Sequence, residues 1–208
     1  MSPRPRTVDD GALLAAAVRV MQRMGPARFT LAKVGAEAGV SAATLVVRFG
    51  SKRALLRRLS AAASGYSHLR VAELRRQHAA PLDVLREFLL CYAELARTPR
   101  EMANHLAWLQ VDFTDPVMLR QFQGLSRENL EITEALLREA EAAGVLTPVD
   151  APALACALNA AMTGGLLAWA TFREGSARAW LERDLDVLLA PWRARAAPTA
   201  RRRGTPAR

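Results

Sequence analysis

The stretch that decides the fold is Thr30-Leu-Ala-Lys-Val-Gly-Ala-Glu-Ala-Gly39-Val40-Ser41-Ala-Ala-Thr-Leu45-Val-Val-Arg48-Phe49. It reads as two short helices, 31–38 and 42–49, joined by a turn. Thr30 and Ser41 each offer a hydroxyl to the unpaired backbone N–H groups of a helix start. Gly39 can take the left-handed conformation that stops the first helix within one residue. Val40 is placed to plug the angle between the two helices. Val34, Ala38, Leu45 and Phe49 then face inward, which leaves Ala42, Ala43, Thr44, Val46, Val47 and Arg48 facing outward. A short helix that crosses its neighbour steeply and keeps its outer flank free has the shape that enters a DNA major groove.

Working outward, nearly every other segment also has helical period, and hardly any alternates as a strand does. A first helix is expected from Asp9 to Met24, with Leu14, Ala17, Val18, Met21 and Met24 on its inner face. Thr7 and Asp10 have capping-box spacing at its start, and Gly25-Pro26 ends it. After the Gly50-Ser51 break, one long fourth helix is expected through about His78. Pro81 opens a helix to Arg97, and Thr98-Pro99-Arg100-Glu101 starts the next. Asp115-Pro116 opens a long one to Ala143 before Gly144. Asp150-Ala151-Pro152 opens another to about Arg173, and Ser176 caps a last one to about Ala190. The expected fold class is all-α, about nine helices, with a three-helix N-terminal head and a larger helical body. The Arg/Pro/Ala-rich stretch 191–208 has the composition of a disordered tail.

Charge divides along the same lines. The net +9 resolves into +10 over residues 1–78, −7 over 79–190 and +6 over 191–208. A taste for arginine in the whole chain accounts for 27 Arg among its 29 basic residues, but not for the scarcity of acids in the head. A basic head on an acidic body suits one end meeting phosphates. Cys91 and Cys156 lie far apart in apolar helical patterns, without ligand spacing, and read as buried free thiols. No charge-free apolar run long enough to span a bilayer is expected, nor a secretory signal at Met1-Ser2-Pro3-Arg4, so a cytoplasmic, membrane-free protein is anticipated. The chemistry of catalysis has little to build on. Three His and two Cys are scattered, with no metal-ligand spacing, phosphate loop or nucleophile motif, so neither enzyme, metal nor cofactor is expected.

The ordered set Gly25, Phe29-Thr30, Val34-x-x-x-Ala38-Gly39-Val40-Ser41-x-x-Thr44-Leu45-x-x-x-Phe49-x-Ser51-Lys52-x-x-Leu55-Leu56 resembles the TetR family of bacterial transcriptional regulators. The resemblance implies a DNA-binding domain over 7–67, with its helix-turn-helix at 30–49, and a ligand-binding and dimerisation domain over 68–190. It also implies that Thr30, Thr44 and Lys52 contact phosphates. The family usually carries Tyr at position 46. Here Val46 and Val47 stand instead, so that phosphate contact is missing.

Arg48 is the candidate for a bidentate contact to guanine, or alternatively for a phosphate contact. Val47 suits a thymine methyl, and Ala42 and Ala43 allow close approach. Arg28, an arm at Arg4 and Arg6, and the tail Arg201-Arg202-Arg203 read either as backbone contacts or as solvated charges.

What the resemblance implies for the body is a small-molecule effector that enters it and changes the separation of two heads, and the aromatic and Met content suggests that it is apolar. Phe88, Tyr92, His105, Trp108, Phe113, Met118, Phe122, Met162 and Trp169 are the candidates to line its pocket, although each equally suits a plain core. The last two helices carry small and apolar residues, such as Ala151 to Ala161 and Thr163-Gly164-Gly165, that fit a four-helix interface between two copies. The function expected is therefore a ligand-responsive repressor that binds a palindromic operator as a homodimer. The alternative is a ligand-binding or interaction module of the same fold without specific operator binding.

Overall fold

The structure is a computed structural model that describes residues 8–63 and 65–194. The chain folds into α1 (Asp10–Arg23), α2 (Leu31–Ala38), α3 (Ala42–Phe49), α4 (Lys52–Ala62), α5 (Tyr66–Gln77), α6 (Pro81–Leu90), α7 (Pro99–Thr114), α8 (Pro116–Ala142), α9 (Ala151–Phe172) and α10 (Ala177–Leu189). Short 3-10 turns occupy Cys91–Leu95 and Ala190–Trp192. The caps foreseen at Thr30, Ser41, Thr98, Asp115, Asp150 and Ser176 each accept a backbone N–H from the helix they open.

Four expectations need correction. The long fourth helix is two helices. Gly65, in the left-handed region at φ 77°, breaks it, and Glu128 of α8 accepts both Gly65 N–H at 3.1 Å and His68 N–H at 3.3 Å. A carboxylate from another helix thus satisfies the donors that the break exposes. The helix from Pro81 stops at Leu90 and tightens into the 3-10 turn before Arg97.

The inner face of α1 lies one residue earlier than periodicity suggested. Leu13, Ala16, Ala17 and Val20 are buried, Val18 is exposed, and the cap is Asp9, which accepts Ala12 N–H at 2.7 Å. Finally, α9 is a charge-free helix of 22 residues, containing an 18-residue window of mean hydropathy 1.5, long and apolar enough to cross a membrane by length and composition. Its buried residues, among them Ala155, Leu158, Met162, Leu166 and Trp169, pack into a protein core instead.

Two apolar clusters organise the molecule. One joins Leu13, Ala17, Val20, Val34, Leu45, Leu55 and Leu56 of the first four helices with Phe29 from the α1–α2 turn, and it recruits Trp108 from α7 and Met118 from α8. The other, in the body, runs from Val71 of α5 to Leu189 of α10 and centres on α6, α8 and α9.

Candidate nucleic-acid interface

Leu45 anchors α3 with no exposed surface, and Phe49 packs half-buried beside it. The opposite flank stands in solvent, with Val46 at 48 % and Val47 at 87 % exposure. Helix α2 ends at Gly39, whose φ of 70° turns the chain, and Val40 packs against the head cluster. No side chain would fit at Gly35 as the turn stands, since a Cβ there would lie 2.6 Å from the carbonyl oxygen of Val40. The two helices therefore meet backbone to backbone.

Of the polar candidates on or near this flank, Arg28, Thr30 and Arg48 are exposed and Thr44 and Lys52 half-buried, and most already have an internal task. Thr30 Oγ1 accepts Lys33 N–H at 3.3 Å, and Thr44 Oγ1 shares a hydrogen bond of 2.9 Å with Ser41 Oγ. Arg28 lies exposed in the turn before α2, where its carbonyl accepts Lys33 Nζ at 2.9 Å. Lys52 Nζ donates to Pro26 O at 2.7 Å and sits 5.7 Å from the Phe29 ring centroid, which ties α4 to the α1–α2 turn. Arg48 Nη1 donates to Asp10 Oδ1 at 2.6 Å. Ala42 is partly exposed and Ala43 exposed. Arg19 and Arg23 of α1 are both held by Glu37 of α2, whose carboxyl they keep below its ordinary pKa. The Arg4/Arg6 arm and the tail arginines 201–203 lie outside the described residues.

Two residues that grip the head from the body were not assigned this role by sequence. Trp108 donates its indole N–H to Met21 O at 3.1 Å and Met24 O at 2.9 Å, the last carbonyls of α1. Asp115 caps α8 and also accepts Arg53 Nε at 2.7 Å and Arg57 Nη2 at 3.0 Å from α4. Burial pushes the Asp115 carboxyl up, but the two guanidinium groups and the N–H groups of Val117 and Met118 outweigh it and hold the pKa well below the usual range. The Asp-Pro signal disclosed the cap. The second use of the carboxylate is a tertiary contact with no local signature.

The nine pocket candidates are distributed over several parts of the molecule. Phe88, Met162 and Trp169 are buried in the body core, with Tyr92 packed beside them. Tyr92 OH donates to Asn159 Oδ1 at 3.0 Å, and Asn159 Nδ2 donates to Thr133 Oγ1 at 3.0 Å. Trp108 and Met118 belong to the head cluster. Phe113 is 58 % exposed and meets Phe122 edge to face at 5.6 Å. His105 is half-buried on α7, and burial lowers its pKa. One hollow of about 390 Å³ lies along α8 and another of about 330 Å³ between α5 and α8, and none of the nine lines either. Among the described residues no cluster of His, Cys, Asp and Glu is arranged to hold a metal ion. Cys91 is half-buried and Cys156 is exposed on α9, which corrects the reading of two buried thiols.

A head with a free-flanked second helix, gripped by an all-helical body, is the architecture of a DNA-binding regulator. Residues 13–59 match the family model described as bacterial regulatory proteins, tetR family. A transcriptional regulator from Cytophaga hutchinsonii shares the fold at TM-score 0.67 with 14 % identity, over 88 % of this chain and 98 % of that one. SmeT, the repressor of the Stenotrophomonas maltophilia multidrug efflux pump SmeDEF, superposes at TM-score 0.62 with 23 % identity, covering 96 % and 98 %. A transcriptional regulator from Saccharomonospora viridis, solved in complex with choline, gives 0.66 with 23 % identity, covering 89 % and 97 %. No curated protein matches the sequence. Residues 13–59 thus carry the DNA-binding head described for the tetR family of bacterial regulatory proteins, and the whole chain shares its all-helical fold with solved transcriptional regulators.

Proposed function

We propose that this protein is a ligand-responsive repressor that binds a near-palindromic operator as a homodimer and releases it when a small apolar molecule enters the body. The observation that carries the DNA-binding half is the contrast along α3, where Leu45 is fully buried while Val47, two residues on, is 87 % exposed. In this reading residues 7–67 form the DNA-binding unit and 68–190 the sensing and dimerisation unit. Val47 and Arg48 face base edges, with Ala42 and Ala43 making room, and Arg28, Thr30, Thr44 and Lys52 lie towards the phosphates.

Support for the dimer comes from α9, whose exposed arc of Ala153, Cys156, Ala157, Ala160, Gly164 and Leu167 is apolar and small. A Cβ at Gly164 would meet nothing within 4 Å, so a partner helix has room to approach closely. Val187 of α10 adds a further exposed apolar side chain. A two-fold dimer reads two half-sites one helical turn or more apart. The likeness to an efflux-pump repressor and to a regulator crystallised with choline supports a sensing body. Phe88, Tyr92, Met162 and Trp169 share the core that an apolar ligand would have to open. The cytoplasm, where the operator lies, is the compartment this role requires.

Selection of bound duplexes from a random pool tests the reading. Recovery of an inverted repeat is the expected result. Recovery of no preferred sequence would leave a helical module without operator recognition.

A further inference from the structure

Asp10 opens α1, yet its side chain reaches another helix, accepting Arg48 Nη1 at 2.6 Å across 38 positions of sequence. A carboxylate beside a surface that meets phosphates is unfavourable, because like charges repel. The helix start does not explain it either. Asp9 already caps Ala12 N–H, and any acid in the first turn satisfies the helix dipole without contacting α3.

The chemistry of the pair supplies a reason. A guanidinium presents five N–H donors in a fixed fork. Asp10 takes one on Nη1 and leaves the Nε–Nη2 edge, two parallel donors that match O6 and N7 of guanine. Among the described residues Asp10 is the polar partner that holds the Arg48 head group. An arginine held in one orientation loses less side-chain freedom on meeting a base than one that sweeps through solvent.

We infer that Asp10 is a specificity-determining residue, which acts by positioning the Arg48 guanidinium against one base pair in each half-site. The inference rests on α3 being the DNA-reading helix.

The test is titration of the wild type and the Asp10→Asn, Asp10→Ala, Arg48→Ala and Asp10→Asn/Arg48→Ala variants against the selected operator and against operators changed one base pair at a time. The ratio of two affinities measured on one variant cancels any loss of folded protein. Both Asp10 variants and Arg48→Ala are expected to reduce discrimination at the same base pair by roughly tenfold or more. The double variant should lose no more than Arg48→Ala alone. If Asp10→Asn instead tightens binding to all sequences alike and keeps the preference, the carboxylate merely repels phosphate and the inference fails. It fails equally if the two positions affect different base pairs. A wild type that selects no sequence overturns the DNA-reading role of α3 and this inference together, whereas a selecting wild type with an indifferent Asp10 variant overturns only the latter.

Discussion

The indole ring of Trp108 stands edge-on to the ring of Phe29, with centroids 5.3 Å apart and planes 89° apart. Phe29 lies just before α2 and Trp108 in the middle of α7, so the body inserts a side chain into the core of the head. The indole N–H reaches Met21 O and Met24 O at the end of α1, and Lys52 Nζ lies over the Phe29 ring. Together with the Asp115 contacts to Arg53 and Arg57, this fixes the head to the body at both α1 and α4.

Trp108→Ala empties the contact and is expected to cost about 3–5 kcal/mol, as large-to-small core substitutions do. Trp108→Phe keeps a ring but loses the donor to Met21 O and Met24 O, at about 1–3 kcal/mol. Urea unfolding measures both. A Phe variant as stable as wild type would show that the indole hydrogen bonds contribute nothing.

Asp112, one turn beyond Trp108, is pushed by burial up to a pKa of about 6. The folded state therefore keeps a proton that the unfolded chain releases near 3.8. Stability contributed by this group falls as pH rises from about 4 to 6 and is level above. That displacement corresponds to about 3 kcal/mol at most, and solvent screening of a half-buried group reduces it to about 1 kcal/mol. Asp112→Asn is expected to be more stable than wild type at pH 7 by about that amount, and equal to it below pH 4. Melting curves across pH check this, and a difference independent of pH would refute it.

Asp115 works with the opposite sign. Its pKa is lowered, so its stabilisation is present above the ordinary carboxylate value and is lost as pH falls towards the folded one. Asp115→Asn should lower the melting temperature at pH 7 and flatten the acid side of the stability profile. An unchanged acid limb would place the acid sensitivity elsewhere.

Much of this architecture was legible because it rests on local signals. Gly39 and the caps at Thr30, Ser41 and Ser176 punctuate their helices where the sequence said they would. The misses come from tertiary contacts. Gly65 breaks a helix-long pattern only because Glu128, distant in sequence, receives its N–H. Arg48 looked like a free outward cation because nothing in its neighbourhood announces Asp10. No local signal shows that Trp108 packs with the head, because that contact depends on how α7 lies against α1. The α1 face was misplaced by one residue because alanines at positions 15, 16 and 17 make its apolar stripe too broad to phase.

Leu167→Glu puts a charge on the exposed arc of α9, where the single chain pays little because Leu167 is already 46 % exposed. In the proposed dimer the same change buries a carboxylate against a partner helix. Sedimentation is expected to show monomers and operator affinity to collapse, while the helical circular dichroism of the monomer stays near wild type and its melting temperature loses its dependence on protein concentration. Alkylation of Cys156, exposed on the same arc, should be slow in the wild-type dimer and fast in Leu167→Glu. A dimeric variant with normal affinity would move the interface off α9.

Lys52 carries two claims that one substitution can separate. As a phosphate contact, its loss weakens binding to every sequence alike and lowers the slope of log K against log salt by about one unit per contact. As the tie from α4 to Pro26 O and the cover of Phe29, its loss loosens the head whether or not DNA is present. Lys52→Ala should therefore show both a lower melting temperature and a shallower salt slope. Lys52→Met, which keeps the apolar stem but neither charge nor donor, should recover part of the stability and none of the slope. A full salt slope in both variants would reduce Lys52 to a structural tie and shift the phosphate contacts to Arg28, Thr30 and Thr44.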